Sequence, residues 1–296
     1  MGRGSSRPLL RDAPSGLGYD LSVLADFAAR RRALLKWGLG LGALPLLACA
    51  GSDLDSTDMT ASDGAAGAGT GSNDPTDGSC ATTVPEETAG PYPGDGSNGA
   101  NALALSGIVR SDITTSIAGA TGVAEGVPFT VTLTIVDGSK ACAPLAGYAV
   151  YIWHCDRGGN YSMYSAAAAS ENYLRGVQET DANGTVTFTT IFPACYSGRW
   201  PHIHFEVYPS LDLASSGANT LATSQLALPK ANCDEVFATD GYEASVTNLK
   251  QISLASDMVF ADGRRPGNTQ RYRQRGSRIR SQAQRDDLSA SLGLTL

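Results

Sequence analysis

An all-β fold, a β-sandwich of mixed or antiparallel strands with long functional loops, is predicted for this 296-residue chain. Three observations predict it. Several short segments alternate apolar and polar side chains, the pattern of a strand with two different faces. Valine and threonine concentrate in those segments, and both favour the pleated surface of a sheet. Turn signals punctuate the segments, while no long stretch repeats with a strong helical period. Hydrophobic residues make up 42 % of the chain and charged ones 17 %, enough apolar material for a sizeable core.

The chain divides into three parts. Residues 1–48 read as an export signal: a loose leader, then Arg30-Arg31-Arg32-Ala33-Leu34-Leu35-Lys36, then an apolar run from Trp37 to Ala48. That run is too short and too glycine-rich for a membrane span and suits a signal-peptide core. Arg31 to Lys36 resembles the twin-arginine motif of a pathway that exports folded proteins, and Leu46-Leu47-Ala48-Cys49 resembles a lipobox. A lipid anchor on Cys49 is expected, with a plain signal peptide and a chance cysteine as the alternative. Residues 49–79 are Gly, Ser, Ala, Asp and Thr with almost no large apolar side chain, a solvated tether. The folded domain is expected over 80–296, at the cell surface or in an extracellular or periplasmic space.

Within that domain the strands follow in order. Ala102–Val109 is the first candidate. Phe129–Val136 sets Val131, Leu133 and Ile135 against Thr130, Thr132 and Thr134. Tyr148–His154 is apolar on both faces, as a central strand is. Thr185–Phe192 follows Asn183-Gly184, a hairpin turn signal. Pro201–Tyr208, Leu221–Leu228 and Leu288–Leu296 complete the set. The loop from Gly158 to Gln178 is long for a sandwich, and long loops in such domains carry function. Residues 263–285 read as an arginine-rich surface excursion.

The chemistry gathers at Pro201–Tyr208. Ile203, Phe205 and Val207 point to the core, and His202, His204, Glu206 and Tyr208 point the other way. Two imidazoles at i and i+2 on one strand face can reach a single metal ion. The chain has three histidines, and two of them are these.

Charge and cysteines bound the rest. The formal charge is −7; residues 1–48 hold seven positive and three negative side chains, so the remainder carries −11. A surface that acidic is a poor partner for nucleic acid or anionic membranes. Beyond Cys49 stand Cys80, Cys142, Cys155, Cys195 and Cys233. An oxidising compartment permits disulfides among them, an odd number leaves one over, and no Cys-X2-Cys zinc spacing occurs.

Ile152-Trp153-His154-Cys155-Asp156-Arg157-Gly158-Gly159-Asn160-Tyr161, Leu174-Arg175-Gly176-Val177-Gln178 and Cys195-Tyr196-Ser197-Gly198-Arg199-Trp200-Pro201-His202-Ile203-His204 together resemble the intradiol ring-cleavage dioxygenases, in particular their exported single-domain members. Thr88-Ala89-Gly90-Pro91-Tyr92 is similar to the start of their catalytic domain. The resemblance spans roughly 80–296. It implies a non-haem Fe(III) held by Tyr161, Tyr196, His202 and His204, and cleavage of a catechol with O2, between the two hydroxyl-bearing carbons, to a muconate-type diacid. The ligand types suit a hard ferric ion, which lowers the pKa of a bound phenol below its free value of about 10. By the same likeness Tyr196 leaves the metal and acts as base when substrate binds, Arg199 stabilises developing negative charge, and Gln225 lies near the substrate. His154 is structural or pocket-lining; Trp153, Trp200 and Tyr92 are candidate pocket walls. Cys195 and Cys233 depart from the family pattern, and a bridge between them or a free Cys195 are the two alternatives. The helical dimerisation region of the intracellular enzymes is missing, so the oligomeric state stays open. Two other readings remain: a surface-anchored binding sandwich without turnover, and a zinc or copper enzyme on the same histidines.

Overall fold

The alternation at 129–136 becomes β1 (Pro128–Asp137), whose Phe129, Val131, Leu133 and Ile135 are buried while the threonines between them face outward. The chain is described from a computed structural model at residues 84–261 and at the strand 288–295, the latter through its backbone and the side chain of Leu294 alone. The export signal, the tether, Cys49, Cys80 and the arginine-rich stretch 263–285 lie outside the described residues.

Strands in order after β1 are β2 (Ala143–Pro144), β3 (Ala149–Trp153), β4 (Arg175–Glu179), β5 (Thr185–Ile191), β6 (His202–Tyr208), β7 (Ala222–Ala227) and β8 (Leu288–Thr295). One sheet runs β2-β1-β5, with β8 pairing parallel to β1; the other runs β4-β3-β6-β7, antiparallel throughout. The main core lies between them. It is built from the inward residues of β1 with Val186 and Phe188, against Val150, Ile152, Ile203, Phe205, Val207 and Leu226. The all-β sandwich of mixed strands is the observed architecture.

The second sheet is buried on its other face too. There Tyr151, Trp153 and Tyr208 pack with Ala102, Leu103, Ile108 and Tyr161 from the loops that cover it. Every residue of β3 and β6 is consequently buried. The two-sided burial read at Tyr148–His154 is present, and it extends to the histidine strand.

Three expectations differ from the structure, and the choice between the two cysteine alternatives is decided. Ala102–Val109 is a set of turns; Gly107 at φ +88° breaks the extended path, and only the bridge from Val109 to Val177 is strand-like. The loop expected from Gly158 to Gln178 ends early, because Arg175–Glu179 is strand β4. Its first two positions are a buried arginine and a buried glycine, which give no apolar strand pattern to read. Two helices, α1 (Lys230–Val236) and α2 (Glu243–Leu249), run seven residues each, too short to register a helical period. Cys195 and Cys233 are both free and buried, so the bridge between them does not form; Cys155 is likewise free and buried, and Cys142 is disulfide-bonded.

Candidate metal centre

Strand register sets the site. Trp153 of β3 pairs with His204 of β6, and His204 pairs with Gln225 of β7, so these side chains share one face in one row; Arg175 extends the row opposite Trp153. The His204 ring stacks on Trp153, centroids 4.8 Å apart and planes 9° apart. His202 lies one pleat along, and its Nε2 is 3.1 Å from that of His204.

Two phenols come to the same point from the covering loops. The Tyr161 hydroxyl is 3.3 Å from both His202 Nε2 and His204 Nε2, and the Tyr196 hydroxyl is 3.3 Å from His202 Nε2. All four ligands expected from the sequence therefore converge. Two glycines make room. Gly90 (φ +72°) lies against His204, where a Cβ would come 3.3 Å from Cε1, and Gly159 (φ +87°) lies against Tyr196, where a Cβ would come 3.1 Å from that residue's Cβ. Both backbones are left-handed, a conformation glycine adopts without strain.

The cluster is arranged for a cation. His202 Nδ1 faces the Trp200 carbonyl, which fixes the proton there and leaves the Nε2 lone pair aimed at the cluster. Burial pushes the His202 imidazole down to about 3, and burial together with His202 and Arg199 holds His204 well below its ordinary 6.5. Both rings are thus neutral, as metal ligands are. Burial, with Tyr196 beside it, holds the Tyr161 phenol well above its ordinary 10. Two imidazole nitrogens and a phenol oxygen thus meet within 3.3 Å, and His204 Nδ1 is buried without a hydrogen-bond partner. Neutral donors packed this tightly fit a hard cation that converts the phenols to phenolates. Among the described residues no three His, Cys, Asp or Glu side chains gather as a metal site. This centre reaches four donors by using two tyrosines, the set that suits ferric iron.

Arg199 and Gln225 stand beside it. Arg199 is buried; its Nη2 donates to Gln225 Oε1 at 2.6 Å, and Gln225 Nε2 donates to the Thr88 carbonyl at 2.8 Å. A hydrogen-bonded line thus joins the arginine to the 84–92 segment across the cluster. Tyr92 in that segment lies with its ring centroid 4.9 Å from that of Tyr161. Trp153 backs His204, as a pocket wall would. Trp200 does not join the wall: it packs with Ala227, Val259 and Phe260 and donates Nε1 to the Leu228 carbonyl. His154 is structural, bonded to the Cys155 carbonyl and the Thr190 hydroxyl, each at 2.8 Å.

Several supporting residues are not singled out as site residues by the sequence. Ser245 and Asn248 of α2 hold the Cys195 peptide, its N–H at 3.0 Å and its carbonyl at 2.8 Å, immediately before Tyr196. Asp257 pairs with Arg199, Nε to Oδ2, at 3.0 Å. This ion pair lies inside the protein. Arg175, fully buried, spends its donors on Ser162, Tyr151 and the carbonyls of Tyr92, Pro93 and Ser162.

Comparison with known proteins bears on the family and the fold. The family model described as Dioxygenase matches residues 110–211, which contain Tyr161, Tyr196, Arg199, His202 and His204. The intradiol ring-cleavage dioxygenase from Tetranychus urticae is 27 % identical, with a TM-score of 0.52 over 72 % of this chain and 94 % of that one. A second dioxygenase crystal structure is 26 % identical, with a TM-score of 0.50 over 73 % and 94 %. The catechol 1,2-dioxygenase from Pseudomonas arvilla C-1 is 17 % identical, with a TM-score of 0.38 over 72 % and 61 %. No curated protein matches the chain in sequence.

Proposed function

We propose, from the likeness of this chain to the intradiol ring-cleavage dioxygenases, that it is a non-haem Fe(III) dioxygenase that cleaves a catechol with O2 between its two hydroxyl-bearing carbons. The observation that carries the reading is the meeting of Tyr161, Tyr196, His202 and His204 at separations of 3.1–3.3 Å. Ferric iron, when bound there, supplies the Lewis acidity and redox chemistry that let an electron-rich ring react with O2.

The chain's own groups divide the remaining work. His202 and His204 stay neutral and present lone pairs. Tyr161 is 2 % exposed and braced by Tyr92, so it is the fixed phenol. Tyr196 is the less buried of the two phenols and precedes a turn at Ser197–Gly198, and in this reading it is the phenol that takes a proton from a substrate hydroxyl. Arg199 places positive charge near both phenols and near the charge that develops on the ring. Gln225 holds Arg199 on one side and Thr88 on the other. The 84–92 segment lies against the cluster through Gly90, beside His204, and Tyr92, beside Tyr161.

We also propose export, through residues 1–48 and with an anchor at Cys49; the disulfide at Cys142 suits an oxidising compartment.

The test is the visible spectrum of the iron-loaded chain, before and after catechol is added without oxygen. A broad tyrosinate-to-iron band that shifts with catechol, followed by muconate when air is admitted, is the expected result. A colourless protein holding zinc or copper, or a coloured one that releases no ring-opened diacid, would sink the reading.

A further inference from the structure

Asp257 lies beyond the segment matched by the family model, 58 residues after Arg199, and has no exposed surface. Its two carboxylate oxygens accept four hydrogen bonds. Oδ2 takes Arg199 Nε at 3.0 Å and the Trp200 backbone N–H at 2.7 Å. Oδ1 takes the N–H groups of Val259 at 2.9 Å and Phe260 at 3.1 Å, so the acid is anchored in its own loop. The Phe260 ring lies under the Arg199 guanidinium at 5.9 Å and 6.4 Å from the His202 ring.

Two site elements hang from that one oxygen. Arg199 is held from behind at Nε while Nη2 reaches Gln225, so two of its nitrogens are tied and the plane of the guanidinium is set. The Trp200 peptide is held at its N–H, and the carbonyl of the same residue receives His202 Nδ1. We propose that Asp257 is a positioning residue of the site, orienting Arg199 directly and His202 through Trp200, a role that rests on the ferric dioxygenase reading.

The donor count says why an acid is required. All four partners donate, so both oxygens must accept. An asparagine presents an amide to one pair of N–H groups whichever way it is turned. It also leaves a buried guanidinium without its counter-ion. Groups that orient metal ligands change activity or metal affinity by about 10–100-fold when removed.

The experiment compares Asp257→Asn, Asp257→Glu, Arg199→Gln and the Asp257→Asn/Arg199→Gln double variant, each as iron-loaded full chain. Readouts are iron per protein, kcat and KM for catechol, the band of the oxygen-free catechol complex, and Tm. Asp257→Asn is expected to lose about 10–100-fold in kcat with KM changed less than about threefold. Its band should move in the same direction as that of Arg199→Gln, and the double variant should lose less than the two single losses combined, any excess over Arg199→Gln alone measuring the path through Trp200 to His202. Asp257→Glu, which keeps the charge and shifts the oxygens by one methylene, should fall between, and it serves if Asp257→Asn does not fold. A lower Tm with unchanged kcat per iron and an unchanged band would make Asp257 a packing residue and overturn the proposal, as would losses that simply add. If the wild-type chain binds iron but cleaves no catechol, the functional reading fails and the band comparison still decides the role of Asp257. If it binds no iron, the functional reading fails and the positioning role that rests on it is overturned with it.

Discussion

Single residues carry the chemistry, and their legibility differs with where they sit. His202 and His204 were readable because strand alternation places i and i+2 on one face. Tyr161, Tyr196, Arg199 and Gln225 were readable through the motif likeness, and the structure brings all four to the histidines. Asp257 was not: it sits in an aperiodic loop, and nothing local distinguishes it from a solvated acid. Trp200 misled, because a tryptophan next to ligand residues looks like a pocket wall until its indole is seen bonded to Leu228. On the proposed reading, Tyr196→Phe removes the base while keeping the ring. Turnover should drop by about 10²–10⁴-fold, the usual worth of a positioned acid or base. Single-turnover kinetics on the iron-loaded variant would check it, and a loss below tenfold would deny Tyr196 the role.

At the scale of elements, the strands that alternate cleanly were legible and the rest were not. β4 was hidden because Arg175 occupies a core position, and the helices were hidden by their length. The end of β3 offers a pH prediction. His154, fully buried one residue beyond that strand, is pushed down to about 4 from an ordinary 6.5, chiefly by burial. The unfolded chain takes up a proton near 6.5 and the folded one refuses it until about 4. The stabilisation is therefore complete above pH 6.5 and lost progressively as the pH falls toward 4. At 1.36 kcal/mol per pH unit it amounts to about 3 kcal/mol. Thermal melts between pH 7 and 4 should show a shallower decline for His154→Gln than for the wild type. Parallel curves would mean the imidazole is protonated in the folded state.

For the molecule as a whole, the sandwich was legible because each sheet needs only a two-residue period. The site was less so, because it forms on the outer face of one sheet and is completed by loops distant in sequence. Arg175 ties those loops down. It reaches the carbonyls of Tyr92, Pro93 and Ser162 and the Ser162 hydroxyl from a single strand position. Releasing either loop strands a buried guanidinium, at a cost comparable to losing several charged hydrogen bonds together. Cover and floor should accordingly open as one cooperative unit with β4, not as independently fraying loops. Native-state amide exchange would show this as a common opening free energy for residues 94, 161 and 177, whose N–H groups are bonded within the fold. Separate, much faster exchange at 94 or 161 would show the loops to be independent. Shared protection would mean that uncovering the histidines costs the opening of a core strand as well, so that the cover is as hard to lift as the sheet beneath it.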